Sequence, residues 1–450
     1  MGQTPASQGL PPDANPPYPS LPYAYFTVAV ITLAYIFAFV DRLALSLVID
    51  PLRQEMGLND TQISALAGLA FVLFYVVFSF PFGRWVDRHA RPPALTLGIT
   101  VWSLAMVACG FANNFWQLFV ARMMVGAGEA SVNPVAYSTI PDSFRPHQRS
   151  FAMAIFASGS SIGGGLAVYL GSLLLDWAER AQPVLPLVGP LAPWQVLFIG
   201  LGVPGLLVAL LVHFTLRDPP RRKSASEEVI STADAIAYFK ANKTLFVLMF
   251  IGFAGFAINN YGFMVWGPSY FMRVHGLTIA EVGLLMGLGF AALGTSGVLL
   301  GGLWADAVQK KGHPEAPIAV AFQVAWVQVP FFLGAYLSPN EAVAIGLFCC
   351  GMFTASMVGG LQGAMVQALT PNRMRGVASA VYLTTVNILG LGLAPVLTAV
   401  LTDYVFGGPQ GVGKSLAVTS VLSVGLAAAF LGMGMKRARA RAAALLNDST

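Results

Sequence analysis

Charge is the first thing this chain lacks: 10% of its 450 residues are Asp, Glu, Lys or Arg, where a soluble domain spends about a quarter of its residues on them. With 56% hydrophobic residues and a mean hydropathy of +0.69, the deficit excludes water as the main solvent. Cysteine is scarce too, and Cys109, Cys349 and Cys350 all sit in apolar runs, where they read as small hydrophobes and not as disulfide partners or metal ligands. Zinc-ligand spacing and a nucleophile beside a base are both missing, so no enzyme, metal site or cofactor is expected. Residues 1–22 are Pro-rich and contain no Lys or Arg. They lack the positive start of a signal peptide and read as a disordered cytoplasmic tail, with insertion left to the first helix.

What the chain has instead is hydrophobic length. Apolar runs long enough to span a bilayer fall near 23–49, 61–85, 93–112, 115–140, 148–175, 194–216, 244–272, 280–304, 316–337, 341–369, 374–403 and 414–436. Proline, glycine and charge punctuate nearly every gap, so twelve spanning helices are predicted. Of the 25 Lys and Arg, nineteen border one alternate set of loops and only Arg53, Arg180, Arg273 and Lys414 border the other. The positive-inside rule then puts both termini in the cytoplasm of a multi-pass inner (plasma) membrane protein. The remaining two, Arg42 and Arg122, lie inside spans.

The halves repeat. Gly83, Asp87, Arg88 and Arg91 follow the second span as Gly302, Asp306, Lys310 and Lys311 follow the eighth. Arg149 and the apolar segment after it match Arg375 and its own successor segment. The expected organisation is a six-helix bundle at 23–216, a cytoplasmic linker at 217–243, a second bundle at 244–436 and a cytoplasmic tail at 437–450. Six basic and four acidic residues in the linker favour a solvated segment or surface helix over a folded module. Two six-span repeats in one orientation are the plan of a carrier.

An ionisable side chain at membrane depth is costly, so it normally faces a cavity or a partner. The set here is Asp41, Arg42, Arg122 and Glu129, all in spans 1 and 4, while spans 7 and 10 offer only neutral groups such as Asn259, Asn260, Thr354, Ser356 and Gln362. At about 1.5 Å of rise per residue, Asp41 lies roughly 12 Å deep, Arg122 roughly 10 Å and Glu129 roughly 21 Å. Arginine keeps its proton at any biological pH, so a titrating step belongs to Asp41 or Glu129, with Arg42 and Arg122 as charge partners. The competing reading is a fixed ion-pair network that holds the two spans together.

Other motifs are weighed against plainer roles. Gly83, Asp87, Arg88 and Arg91 read as a gate on the cytoplasmic side, with Asp87 capping the N-terminus of span 11 near Met374; topology alone would account for the arginines. Gly159, Gly163, Gly164 and Gly165 read as a packing surface. Residues 408–415 match a phosphate-loop pattern but join two apolar spans, so they read as a turn. Asn59, Asp60 and Thr61 read as helix N-cap candidates, and His213 as an interfacial side chain. Phe256, Tyr261, Phe263 and Trp266 are candidate contacts for an apolar substrate tail, or packing.

Taken together, Asp41-Arg42, the Gly83 to Arg91 loop, Arg122 followed by Gly126-Ala127-Gly128-Glu129-Ala130-Ser131, and Arg217-Asp218-Pro219-Pro220 resemble the spinster family of the major facilitator superfamily. The resemblance covers most of the chain. It implies a major facilitator fold and proton-coupled, alternating-access transport of a sphingolipid or lysophospholipid, with Asp41 and Glu129 in proton coupling. Protons and a lipid-like substrate are then the expected partners, with no nucleic acid and a monomeric carrier. Export of small amphipathic drugs or organic ions is the alternative within transport. A non-transporting membrane lipid sensor is the alternative outside it, though the short linker offers no output module.

Overall fold

The computed structural model describes residues 17–186, 189–221, 232–371 and 374–447. The expected N-terminal tail and part of the linker fall mostly outside these residues. Eleven helices are long and apolar enough to cross a membrane. They are span 1 (Leu21–Leu47), span 2 (Asp60–Arg88), span 3 (Arg91–Gly110), span 5 (Pro146–Ala181), span 6 (Pro193–Thr215), span 7 (Lys243–His275), span 8 (Ile279–Lys310), span 9 (Ala316–Leu337), span 10 (Glu341–Leu369), span 11 (Val377–Val405) and span 12 (Val412–Asn447).

The twelfth crossing is span 4, expected as one run at 115–140 but broken into Phe115–Glu129 and Val132–Ser143. The cause is local. Pro134 has no N–H to give the carbonyl four residues earlier, that of Ala130, so the helix interrupts at Ala130 and Ser131 and resumes when Val135 donates to the Ser131 carbonyl. Beyond the helices, a short antiparallel pairing of Val184 with Pro190 and Leu185 with Gly189 decorates the turn from span 5 to span 6.

The internal repeat is visible in hydrogen bonds as well as in sequence. Arg149 Nε donates to the Phe144 carbonyl and Arg375 Nε to the Thr370 carbonyl, each five residues back, at 3.1 and 3.3 Å. Equivalent arginines tie equivalent helix starts in the two bundles.

An even number of crossings leaves both chain ends on one face, called the terminal face below; the opposite face is distal. Glycine sets where the bundles meet. Spans 5 and 8 cross with Gly165 against Gly287, where a Cβ on Gly165 would lie 3.0 Å from the Gly287 carbonyl oxygen. Spans 2 and 11 cross at Gly68, where a Cβ would lie 2.6 Å from the Leu391 carbonyl oxygen. Elsewhere in span 5, Gly163 lies against Ile36 and Phe39 of span 1, so the expected packing role of this glycine row holds.

The cores show which side is shut. One hydrophobic cluster runs through the whole first bundle and takes in only distal parts of the second, including Phe263, Trp266, Tyr270, Phe332, Phe348 and Leu416. The terminal-face part of the second bundle forms a separate cluster around Phe250, Phe253, Val324, Leu361 and Leu431. The bundles are therefore fused at the distal face and parted toward the terminal face.

One boundary differs from expectation, and the linker takes the surface-helix form. The span 12 helix does not end at 436 but continues to Asn447, because Ala438 and Ala442 are buried and Arg441 donates to the Tyr238 hydroxyl at 3.1 Å. Within the linker, Thr232–Ala241 forms a helix, and its Tyr238 hydroxyl donates in turn to the Leu369 carbonyl at the end of span 10. The phosphate-loop look-alike is a turn, with Gly407 and Gly408 at φ of 72° and 137° leading into span 12.

Candidate functional site

Span 1 brings Asp41 and Arg42 to the face that span 4 presents with Arg122 and Glu129, and all four side chains are buried. Arg42 donates from Nε and Nη2 to the same Glu129 oxygen, Oε2, at 3.2 and 2.6 Å. Arg122 takes a different route: its Nη1 donates to the backbone carbonyl of Asp41 at 3.2 Å, not to a carboxylate. The four expected residues thus meet, but as two separate interactions.

What is left over matters more. Both carboxylate oxygens of Asp41, Oε1 of Glu129, Nε and Nη2 of Arg122 and the indole N–H of Trp102 have no hydrogen-bond partner among the described residues. Asp41 lies within electrostatic reach of Arg122 and Glu129, and the Trp102 indole is its neighbour. Spare donors and spare acceptors lie together in one buried network. Unpaired buried polar atoms are costly, which favours re-pairing when charge changes.

Aromatic rings enclose the guanidinium groups. Arg42 lies over Phe39, Phe71 and Tyr75 at 4.7, 4.8 and 5.6 Å from the ring centroids, and Arg122 approaches the same Phe71 ring at 5.9 Å. Sequence reading missed Phe71, Tyr75 and Trp102. Aromatics at helical spacing look the same whether they pack a core or line a site.

A second polar network closes the distal face. Arg273, on the last turn of span 7, donates to Asp50 Oδ1 from Nε at 2.8 Å and to Asp60 from Nη1 and Nη2 at 2.6 and 3.1 Å. Asp60 is fully buried, and the Trp266 ring lies 5.4 Å from the guanidinium. Thr61 adds two hydrogen bonds to Asp403 Oδ2, from its backbone N–H at 2.8 Å and its hydroxyl at 2.7 Å. The N-cap of span 2 is Asn59, in a capping box with Gln62, which frees Asp60 and Thr61 to reach the other bundle.

The terminal-face loop looks unlike the expected gate in this conformation. Asp87 is exposed, and its backbone carbonyl accepts from Arg221, which also donates to the carbonyls of Val86 and His89 at 2.6 and 2.7 Å. That caps the end of span 2 from the linker. Arg91 is buried within the first bundle, where it donates to Ser138 at 2.8 Å, to Asp142, to Asp218 at 3.2 Å and to the Pro219 carbonyl at 3.1 Å. In this conformation it is an internal strut of the first bundle. Arg88 lies exposed and Gly83 has open space where a Cβ would stand.

The span 7 aromatics divide. Phe263 packs against Phe290, Phe332 and Phe348, Trp266 donates to the Pro395 carbonyl at 3.0 Å, and Phe256 is buried in the second core. These three pack the core, the second of the two readings given to them. Tyr261 is half-buried and within electrostatic reach of Arg42. Among the neutral groups, Asn259 accepts from Ser420 at 2.6 Å, while Thr354 and Ser356 bond back to their own helix.

Two repeated bundles, shut on one face and parted on the other around buried ionisable groups, define a secondary transporter. Residues 31–395 match the Major Facilitator Superfamily, and the chain belongs to that family. It is similar to the crystal structure of a bacterial homolog of the human lysosomal transporter spinster in an inward-facing, unoccupied conformation: 25% identity, TM-score 0.78, 96% of this chain and 99% of that one. Among curated relatives, protein spinster homolog 1 of Xenopus laevis is 26% identical over 86% of this chain and 74% of its own length. The probable L-galactonate transporter of Escherichia coli (strain K12) is 27% identical over 73% of this chain and 68% of its own length.

Proposed function

We propose that this protein is a proton-coupled, alternating-access transporter of a lipid-like amphiphile, of the sphingolipid or lysophospholipid class. The observation that carries this reading is the split network: Glu129 is tied to Arg42, while Asp41 lies beside Arg122 without a side-chain bond to it. A permanent structural pair would use the spare donors. A proton carrier needs two pairings, one for the acid and one for its anion. In this reading Asp41 holds the proton here, and its loss turns the carboxylate toward Nε and Nη2 of Arg122, changing how spans 1 and 4 meet. The likeness to spinster proteins supports the substrate class. The basic census supports a plasma-membrane orientation with the terminal face cytoplasmic, making the present conformation inward-open. Asp87 would then meet span 11 only when the terminal face closes.

A carrier of small carboxylates is the second reading, favoured by the likeness to the L-galactonate transporter. Uptake of labelled lysolipid into proteoliposomes under an imposed pH gradient tests the first. Glu129→Gln and Asp41→Asn should each lose gradient-driven uptake by tenfold or more while still exchanging substrate without a gradient. Full gradient-driven uptake in both variants would refute the proton assignment, and competition by galactonate but not by lysolipid would favour the second reading.

A further inference from the structure

An open cavity of about 660 Å³ lies at the terminal-face end of span 2, where the chain turns into span 3. Arg84, Arg88 and His89 line it with polar groups, and Pro81, Trp85 and Pro93 with apolar ones. Trp85 is held in place: its indole N–H donates to the Ala90 carbonyl at 3.3 Å, and the His89 ring meets it edge-on at 6.3 Å. Arg84 and Arg88 are exposed and form no ion pair among the described residues. The carbonyls at the negative end of span 2 are already served by Arg221, and the nearby acids Asp142 and Asp218 are held by Arg91. Asp87 is exposed but does not line the cavity. Two arginines therefore line it without a counter-charge.

The rest of the helix says what would supply one. Leu69, Leu73, Val77 and Phe80 are 46, 55, 53 and 71% exposed and lead along span 2 to Arg84 in steps of three or four residues. At 100° per residue this stripe stands across the helix from Phe71 and Tyr75, the rings over Arg42, so it faces away from the central network. Arg84 lies eleven residues beyond Leu73, a rise of about 16 Å and close to half of a hydrocarbon core about 30 Å thick. The stripe thus matches one leaflet. The arginines stand at its head-group level, with Trp85 where interfacial tryptophans gather.

We propose that this cavity binds an anionic phospholipid of the terminal-face leaflet, with its phosphate on Arg84 and Arg88 and an acyl chain along Leu69 to Phe80. Guanidinium and phosphate pair through charge-assisted hydrogen bonds. A stripe one leaflet long selects a lipid over a soluble phosphate ester, and a zwitterionic head would bring an ammonium toward the arginines as a like charge. The lipid is a resident of the outer surface and not the cargo, so the site stands whatever the bundles carry between them.

The test titrates the full-length protein in a nonionic detergent, by native mass spectrometry, with phosphatidylglycerol, phosphatidylcholine of the same chains and glycerol 3-phosphate. Phosphatidylglycerol should bind at least tenfold more tightly than either. Arg84→Gln with Arg88→Gln should weaken it tenfold or more and leave phosphatidylcholine unchanged, whereas Arg84→Lys with Arg88→Lys should keep most of the affinity. Lys436→Gln with Arg437→Gln removes the same charge from exposed positions near the end of span 12 and should bind as wild type does. Phosphatidylglycerol with a photoreactive acyl chain should label wild-type span 2 between Leu69 and Trp85, a readout that needs no variant to fold. Equal affinity for the two lipids, or equal loss in both glutamine pairs, would mean general attraction to a basic face and overturns the site. Labelling of Phe39 or Tyr75 instead would put the lipid in the central cavity and overturns it too. Glycerol 3-phosphate binding as tightly as phosphatidylglycerol would make the occupant a soluble phosphate and refute the lipid. A thermal melt of each variant separates lost affinity from lost fold.

Discussion

At the scale of single residues, Arg273 joins more of the molecule than any member of the central network: it binds Asp50 and Asp60 of the first bundle from the second. Truncating one partner of a buried ion pair costs about 3–5 kcal/mol because the other charge is stranded. Arg273→Ala removes both links between the bundles, leaving Asp60 to Arg53 at 3.8 Å and Asp50 to solvent, and should shift the equilibrium toward an open distal face, whereas Asp60→Asn leaves Asp50 in place and should shift it less. Spin-label distances across the distal ends of spans 1 and 7 would read this; unchanged distributions in Arg273→Ala would mean the pair does not govern closure. Sequence reading filed Arg273 among loop charges and Asp60 among cap candidates, since nothing in a sequence pairs residues 213 apart on different repeats. Asp41, Arg42, Arg122 and Glu129 were legible because a charge inside an apolar run is conspicuous without its partner. Their pairing was not, because it depends on side-chain geometry between two helices.

At the scale of elements, the positions of the spans follow from hydropathy and the places where they touch follow from glycine. Apolar length predicted all twelve crossings, but the break in span 4 depended on one proline, which a hydropathy run passes over. Gly68 and Gly83, both on span 2, separate two roles. A Cβ at Gly68 would overlap the span 11 backbone, with the Leu391 and Gly392 carbonyl oxygens at 2.6 and 2.8 Å, while one at Gly83 meets nothing within 4 Å. Forcing a methyl into such a contact costs about 1–3 kcal/mol. Gly68→Ala should therefore lower the melting temperature and slow transport, and Gly83→Ala should leave the melting temperature unchanged. If Gly83 approaches the second bundle when the terminal face closes, Gly83→Leu should melt like wild type yet transport poorly, since its cost falls on the other conformation alone. Comparable melting of Gly68→Ala and wild type would show that the crossing has slack the backbone distances hide.

At the scale of the whole molecule, function requires that the shared distal core split and the parted terminal ends meet. Thr61 and Asp403 sit across that distal seam, joined by hydrogen bonds of 2.7 and 2.8 Å. Cysteines at both positions, in a background with Cys109, Cys349 and Cys350 replaced, would let a short reducible bifunctional reagent tie the bundles where they now touch. Cys350 is exposed, so without that replacement it would compete for the reagent. Bridging should abolish gradient-driven uptake and reductive cleavage should restore it, while a monofunctional reagent of the same size should inhibit far less. Substrate should still bind the bridged protein, because the site opens to the terminal face whether or not the distal seam is tied. Loss of binding on bridging would place the route to the site through the distal face. Full uptake by the bridged protein would mean that the distal face is a fixed lid, and that substrate crosses by a path the two bundles do not open between them.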